Sequence, residues 1–141
     1  MTIDPLLTSD ILDVHYDEEN AWLYLDWKGP QDLATVQAAC GQLTAIIQQT
    51  NAHKALNDNT HITETSWELV EWVAQDYLAR AATAGIEYVA WVRSPLLACC
   101  SNIEHMSAFS DSRPVVALFD NLAEAYEWLG SHATYAATNA R

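Results

Sequence analysis

The stretch from Ala55 to Ala84 constrains the fold of this chain more than any other part of the sequence. It begins with a short strand pattern, continues through a run of polar residues from Asp58 to Glu64, and ends in a long helical pattern that opens near Thr65. Open α/β sheets place their functional sites where a strand passes through a loop into a helix N-terminus. The sequence therefore predicts an α/β fold with a functional loop between residues 58 and 65.

The charge of the chain excludes several classes of partner. Its 141 residues include 6 Lys and Arg against 19 Asp and Glu, so the net charge is −13. Binding to a nucleic acid or to an anionic membrane surface needs clustered basic side chains, which this composition does not supply. A basic protein partner or a neutral small molecule is compatible with it. The simpler interpretation is that the negative charge keeps the protein in solution.

The cysteines and the N-terminus indicate a cytoplasmic protein. Cys40, Cys99 and Cys100 are odd in number and form no C-x-x-C motif, which argues against a disulfide framework and for a reducing compartment. The first residues lack the basic segment and apolar run of a signal peptide. No apolar run has the length of a membrane span, so no membrane insertion is expected.

Hydrophobic periodicity in the first half of the chain predicts a hairpin followed by a helix. Residues 11–16 and 21–27 are strand patterns separated by a short turn, which is typical of an antiparallel hairpin. Asp32 is placed to cap a helix that runs to about Thr50. After the strand at residues 55–57, Thr65 and Glu68 stand in capping-box register for a second long helix.

The second half of the chain predicts two more strands and two more helices. Residues 86–92 form a strand pattern, and Pro95 suits the first turn of a helix that follows it. Residues 114–119 are a nearly continuous apolar run, typical of a strand covered on both faces. Asn121 and Glu124 form a capping box for a last helix.

The predicted order of elements is β-β-α-β-α-β-α-β-α. This order predicts a five-stranded mixed sheet in which the first strand is antiparallel and the other four are parallel. No linker, repeat or low-complexity block divides the chain. We therefore expect a single domain over residues 1–141, with a core at about 9–130 and a loose tail at 131–141.

The order of elements resembles the STAS fold, and several segments resemble the SpoIIAA-like (STAS/SEC14-type) small bacterial proteins. The resemblance covers roughly residues 9 to 130 and implies a STAS-like α/β domain. The segments that carry it are the run from Leu56 to His61, Trp67-Glu68 and the long helix after it, Tyr88 to Val92 before Ser94-Pro95, and Phe119-Asp120 before Ala125 to Leu129.

The same resemblance implies a phosphorylation site. In anti-sigma factor antagonists the corresponding strand ends in an Asp followed by Ser-Ser-Gly, and a partner kinase phosphorylates the second Ser. Aligned with that motif, Asp58 matches the Asp, Asn59 matches the first Ser, and Thr60 matches the phosphorylated residue. His61 takes the place of the Gly, which is a departure from the family pattern at a point where a kinase must approach the backbone closely.

The polar segment is also the main candidate binding site. Its side chains offer hydrogen-bond donors and acceptors near a helix N-terminus, where an anion or a polar partner is favoured. The alternative is that these residues only cap the helix and satisfy loop backbone. The predicted ligand or partner residues are Asp58, Asn59, Thr60, His61, Glu64 and Thr65. No catalytic set, metal-ligand spacing or cofactor motif is visible, so no catalytic residue, metal or cofactor is predicted.

The six tryptophans allow two interpretations. At strand and helix spacings most of them are expected in the core, but together with the tyrosines they are also able to line an apolar pocket or a dimer face. Trp72 lies on the flank of the second helix, away from its strongest apolar stripe. We therefore predict Trp72 as an exposed interface residue, with a homodimer as one outcome.

Two hypotheses for the function follow. The first is a non-enzymatic regulatory or protein-binding module that presents the loop from Asp58 to Thr65 and the following helix to a partner. The second is a carrier of a small apolar ligand, with an aromatic-lined pocket between the sheet and the helices. Neither hypothesis requires the protein to be an enzyme.

Overall fold

The computed structural model describes residues 3–94 and 114–132, which contain six strands and three helical runs. The strands are β1 (Ile3–Thr8), β2 (Leu12–Asp17), β3 (Trp22–Pro30), β4 (Lys54–Glu64), β5 (Tyr88–Val92) and β6 (Val115–Phe119). The helices are α1 (Leu33–Thr50), α2 (residues 67–84) and α3 (Leu122–Gly130). In this part of the chain no helix is long and apolar enough to cross a membrane.

All six strands form one mixed sheet in the order β1-β2-β3-β4-β5-β6. The first two pairs of neighbours, β1 with β2 and β2 with β3, are antiparallel, whereas β3, β4, β5 and β6 run parallel. The predicted α/β class, the hairpin of β2 and β3, and the four parallel strands are therefore confirmed. The prediction of five strands was wrong, because β1 adds a sixth strand at the edge of the sheet.

The missed strand β1 contains a proline, which is why its pattern does not indicate a strand. Pro5 has no N–H to donate, so a proline within a strand is tolerated mainly at a sheet edge or a bulge. β1 meets both conditions, since among the described strands it pairs only with β2 and its register shifts between Pro5 and Leu7.

The helices pack on opposite faces of the sheet. α1 and α2 cover one face, where their apolar side chains meet those of β2, β3 and β5 in the larger core. α3 lies on the other face, where Ala125 and Leu129 pack against Trp22 and Leu56 in a smaller core. Trp22, Trp27 and Trp91 are all buried, and Trp27 belongs to the larger core and Trp22 to the smaller one.

Helix α1 follows its sequence pattern closely. The Asp32 carboxylate accepts a hydrogen bond from the backbone N–H of Thr35 at 3.0 Å and caps the helix as predicted. Cys40 is on the buried side, and its burial raises the pKa of the thiol to about 12, so this cysteine serves as a small core residue. Cys99 and Cys100 lie outside the described residues.

Strand β6 is less covered than its sequence predicts. In the part of the chain that the structure describes it pairs only with β5, and Val115 is exposed while the rest of the strand is partly buried. The coverage expected on both faces is therefore incomplete, because a continuous apolar run does not by itself show how much of a strand is buried. Asn121 caps α3 as predicted, through the backbone N–H of Glu124. The helix expected after Pro95 and most of the expected tail lie outside the described residues.

Helix α2 is capped one residue later than predicted. The Ser66 hydroxyl, rather than that of Thr65, accepts the hydrogen bond from the backbone N–H of Leu69 at 3.2 Å. The helix ends at Gly85, as expected for a C-terminal turn. Its φ of +128° is allowed for glycine but strained for other residues.

This difference in capping gives a direct test. We expect Ser66→Ala to lower the free energy of unfolding by about 1 kcal/mol, because one helical N–H loses its acceptor. Thr65→Ala serves as the matched control and is expected to cost less than half of that. Urea denaturation of the two variants measures the difference, and a larger loss in the Thr65 variant would show that the capping residue is misassigned.

Candidate functional site

The segment predicted as a loop is the second half of strand β4. β4 pairs with β3 as far as Glu64, opposite Pro30, but it pairs with β5 only as far as Asp58, opposite Val92. Asp58 and Asn59 are 2% and 6% exposed. The loop prediction was wrong, because the long strand β3 supplies hydrogen-bond partners for a stretch whose composition is typical of a loop.

Successive side chains of β4 point to opposite faces of the sheet. Asn57 and Asn59 face α1 and α2, where both line a cavity. Asp58 faces the other way, where its carboxylate meets Tyr24 of β3. The predicted site is therefore divided by the sheet into a charged cluster on one face and a neutral cavity on the other.

The charged cluster contains a row of three aspartates across three neighbouring strands. Asp13 lies opposite Asp26, and Asp26 lies opposite Asp58. Like charges at directly opposed positions of a sheet are destabilising, so the row requires compensation. Lys28 Nζ lies 2.9 Å from Asp13 Oδ2, and His61 Nδ1 lies 2.9 Å from Asp26 Oδ1.

Asp58 is the buried member of the row and is held by hydroxyl and backbone donors. Tyr24 donates its hydroxyl to Oδ2 at 2.6 Å. Thr60 donates both its backbone N–H, at 3.0 Å, and its hydroxyl, at 2.7 Å, to Oδ1. Burial, with the hydrogen bond to Asp58, raises the pKa of Tyr24 well above its usual value, so its hydroxyl remains a donor.

These contacts bear on the expected phosphorylation of Thr60. Its hydroxyl is already committed to Asp58, and its side chain is half-buried in a strand. A phosphate at this position would lie beside the carboxylates of Asp58 and Asp26, where repulsion disfavours it. Phosphorylation of Thr60 stays a prediction, and the geometry around its hydroxyl does not favour it.

The same cluster has the atoms of a cation site. One ligand atom each from Asp26, Asp58 and His61 lies within 4.8 Å of the other two. The hydrogen bonds of His61, Tyr24 and Thr60 to these carboxylates already account for the arrangement. We therefore assign no metal to it.

His61 provides a pH-dependent contact at the exposed end of the cluster. The hydrogen bond and the charge of Asp26 raise the pKa of His61 above its usual value of 6.5. A raised folded-state pKa means that this stabilisation is complete below about pH 6.5 and is lost as the pH rises through the folded-state pKa. The contribution is small because the His61 side chain is 61% exposed.

An NMR titration of the His61 ring measures this effect. We expect a midpoint above 6.5 in the native protein and a lower midpoint in Asp26→Asn, because the hydrogen-bonded carboxylate is lost. Glu64→Gln, a change of the same type near the end of β4, is expected to shift the midpoint much less. Equal midpoints in the native protein and in Asp26→Asn would contradict the assigned contact.

On the opposite face of the sheet, a partly open cavity lies between the strands and helices α1 and α2. Its volume is about 40 Å³. Aromatic surface comes from Trp27 of β3, Trp91 of β5 and Tyr77 of α2. This is the aromatic-lined space between sheet and helices that the second hypothesis requires. A smaller void of about 10 Å³ on the same face shares Asn57 and Tyr77 with it.

A local change in the winding of α2 helps to shape this cavity. The α-helical turns Trp67–Trp72 and Leu78–Ala84 flank a π-helical turn at Val73–Tyr77, where the Leu78 N–H bonds to the Val73 carbonyl five residues back. Val73 and Tyr77, the first and last residues of this turn, both line the cavity. Single π-helical turns within α-helices occur frequently at functional sites.

Two asparagines are among the polar residues of the lining, with Gln31, Thr65 and Ser94. Asn57 accepts a hydrogen bond from the indole N–H of Trp27 at 2.6 Å, and Asn59 donates to the carbonyl of Val92 at 3.1 Å. The sequence predicts Asn59 as a site residue, but it places Asn57 only in the strand. An Asn within a buried strand is unusual. Its spacing of two residues from Asn59 is the signal that would have placed both side chains on one face of the sheet.

The remaining predicted site residues lie apart from one another. Thr65 lines the cavity, whereas Glu64 is exposed at the end of β4. Trp72 is partly buried rather than exposed, since it packs against the larger core and the Arg80 guanidinium lies 6.0 Å from its ring centre. The structure therefore does not present the Trp72 indole as the exposed surface that the interface prediction assumed.

No protein-family model and no curated protein matches the chain. The STAS-like resemblance therefore stays a prediction.

Proposed function

We propose that this protein is a binding module that holds a small, largely apolar molecule in the cavity between the sheet and helices α1 and α2. The observation that supports this most strongly is the lining, in which Trp27, Tyr77 and Trp91 bring aromatic surface from three elements to one space. Binding sites for small molecules are typically concave and mostly apolar, with a few polar groups that orient the ligand.

The volume of the cavity limits the size of the ligand. About 40 Å³ corresponds to about three water molecules, at roughly 10–15 Å³ each. A lipid tail does not fit without displacing core side chains, so carriage of a whole lipid is disfavoured. A small compound, or one end of a larger compound that extends out of the open side, fits this space.

Binding in this cavity would also have a measurable effect on stability. A ligand that binds only the folded state raises the free energy of unfolding, and the increase grows with the logarithm of the ligand concentration once that concentration exceeds the Kd.

A fragment screen on protein with ¹⁵N-labelled tryptophan tests the proposal. We expect small aromatic or aliphatic fragments to shift the indole N–H signals of Trp27 and Trp91, which line the cavity. Trp22 is the internal control, because it is buried in the core on the other face of the sheet. Fragments that shift all three signals equally, or none of them, would contradict the proposal.

A protein-binding role of the STAS type is the second candidate, and it is favoured by the free end of β4. Beyond Asp58, in the part of the chain that the structure describes, no strand pairs with β4 on its β5 side. His61, Thr63 and Glu64 are exposed there. An unpaired strand edge is a common docking site for an extended peptide from a partner.

Affinity capture from the native cell tests this second candidate. A partner that binds the end of β4 is expected to be retained by the native protein and lost in the double variant Thr63→Lys, Glu64→Lys. The matched control is Glu18→Lys, Glu19→Lys, which makes similar changes in the exposed turn between β2 and β3. A partner retained by the β4 variant would contradict binding at this edge.

A further inference from the structure

The lining of the cavity restricts the charge of any ligand that it holds. Among the described residues around it there is no Asp, Glu, Lys, Arg or His. A charged group moved from water into such a site loses its hydration without gaining an ion-pair partner. An uncharged ligand therefore matches the site.

The hydrogen bonds already present fix the orientation of the two asparagine amides. The Trp27 indole nitrogen is only a donor, so the Asn57 atom that faces it is the carbonyl oxygen. The Val92 carbonyl is only an acceptor, so the Asn59 atom that faces it is the NH₂ group. The Asn57 NH₂ group and the Asn59 carbonyl oxygen are the two that remain.

Neither remaining group has a hydrogen-bond partner among the described residues, although both side chains belong to residues that are only 6% exposed. Among the described side chains, the polar atoms that are both fully enclosed and unpartnered are Asp13 Oδ1 and His15 Nδ1, and no atom of Asn57 or Asn59 belongs to this set. The free groups of Asn57 and Asn59 are thus still within reach of a water-sized molecule. The cavities that these residues line are the space from which it reaches them.

Asn57 lines both cavities and Asn59 lines the larger one, so β4 offers a free donor and a free acceptor to the cavities on this face of the sheet. Asn57 and Asn59 are two residues apart, which places their backbones about 7 Å from each other in a strand. A ligand that accepts from the first and donates to the second needs an acceptor and a donor side by side. The Tyr77 hydroxyl, whose pKa is raised by burial, is a further neutral group in the same lining.

We propose that the ligand is a small uncharged molecule with a primary amide or an equivalent acceptor–donor pair. This rests on the proposed function of the cavity as a small-molecule site. The ligand's carbonyl oxygen accepts from the Asn57 NH₂ group, and its N–H donates to the Asn59 carbonyl oxygen. The apolar part of the ligand lies against Trp27 and Trp91.

Three matched probes test the chemistry on the full-length native protein, namely acetamide, acetone and acetate. Acetone keeps the acceptor and loses the donor, and acetate replaces the amide with a charge. Titrations are followed by NMR on the side-chain NH₂ signals of Asn57 and Asn59. We expect acetone to bind about fivefold more weakly than acetamide, and acetate at least about 100-fold more weakly.

The outcomes separate this proposal from the proposed function. Equal or tighter binding of acetone or acetate at these signals overturns the ligand class and leaves the small-molecule site in place. If none of the three probes and none of the apolar fragments shifts a cavity signal, the site holds water only and both proposals fall. Binding in the expected order supports both.

The variant Asn59→Ala gives a second test through the acceptor itself. Its affinity for acetamide is expected to fall about fivefold, because the amide N–H loses its acceptor. Its affinity for acetone is expected to stay unchanged, because acetone has no N–H to donate. Thr63→Ala, an exposed position on the same strand, is the control and is expected to change neither affinity. Equal losses for acetamide and acetone would overturn the assigned contact.

Discussion

Replacing Asp58 by Ala is expected to lower the free energy of unfolding by about 3 kcal/mol, the largest effect on stability that we predict for a polar residue. The carboxylate accepts hydrogen bonds from the Tyr24 hydroxyl and from both the backbone N–H and the hydroxyl of Thr60. Hydrogen bonds to a charged acceptor contribute about 1.5–3 kcal/mol each, and an unpaired buried donor costs about 1–3 kcal/mol. The relief of repulsion from Asp26 offsets part of this loss.

Urea denaturation of matched variants measures this effect. Asp58→Asn keeps the shape of the side chain and one acceptor oxygen, so we expect it to cost less than Asp58→Ala. Glu64→Ala removes an exposed carboxylate from the same strand and is expected to change stability by no more than about 0.5 kcal/mol. A loss below about 1 kcal/mol in Asp58→Ala would show that these hydrogen bonds do not support the sheet.

Replacing Val73 by Phe is expected to lower the affinity of the cavity for a small molecule by at least about 100-fold. Val73 lies in the π-helical turn of α2 and lines the cavity, so a phenyl ring at this position occupies the volume that a ligand needs. Overpacking of this kind costs about 1–3 kcal/mol of stability. Val73 is only partly buried, which gives the ring room to adjust.

The control for this variant makes the same change elsewhere. Val115→Phe places the ring on the edge strand β6, where Val115 is 38% exposed. It is expected to leave binding unchanged. Fragment titrations of both variants, with the Trp27 and Trp91 indole signals as the readout, measure the difference. Undiminished binding to Val73→Phe would contradict binding in this cavity.

The parts of the fold that were predictable from the sequence are those whose local signals agree with their tertiary environment. The N-caps Asp32 and Asn121 mark the starts of α1 and α3, and the two strand patterns on either side of a short turn mark the hairpin of β2 and β3. In each of these elements the apolar positions of the sequence match the positions that are buried. Consistency between local pattern and packing made these predictions succeed.

The rest depends on partners that are distant in sequence. Residues 58–64 have the composition of a loop, and only the pairing with β3 makes them a strand. The sixth strand, β1, contains Pro5, which is tolerated because the strand lies at the edge of the sheet, where it pairs with β2. The π-helical turn of α2 leaves no recognised mark in the residue pattern, although it places Val73 and Tyr77 at the cavity.

The candidate site was predicted in part for the same reason. The aromatic residues of the sequence allow a pocket between sheet and helices as an alternative to a filled core, and a cavity lined by Trp27, Tyr77 and Trp91 lies there. A loop prediction for residues 58–65 gives no alternation of side chains between two faces, whereas the strand β4 does. This alternation separates Asp58 from Asn59 and adds Asn57 to the cavity.

Intermolecular NOEs between a bound fragment and the methyl groups of the protein test the central claim most directly. The cavity lies between the sheet and helices α1 and α2, so we expect NOEs from one fragment to both Val36 and Val73, on two different helices. NOEs confined to exposed side chains such as Leu6 and Val115, or a complete absence of NOEs from any fragment, would contradict it.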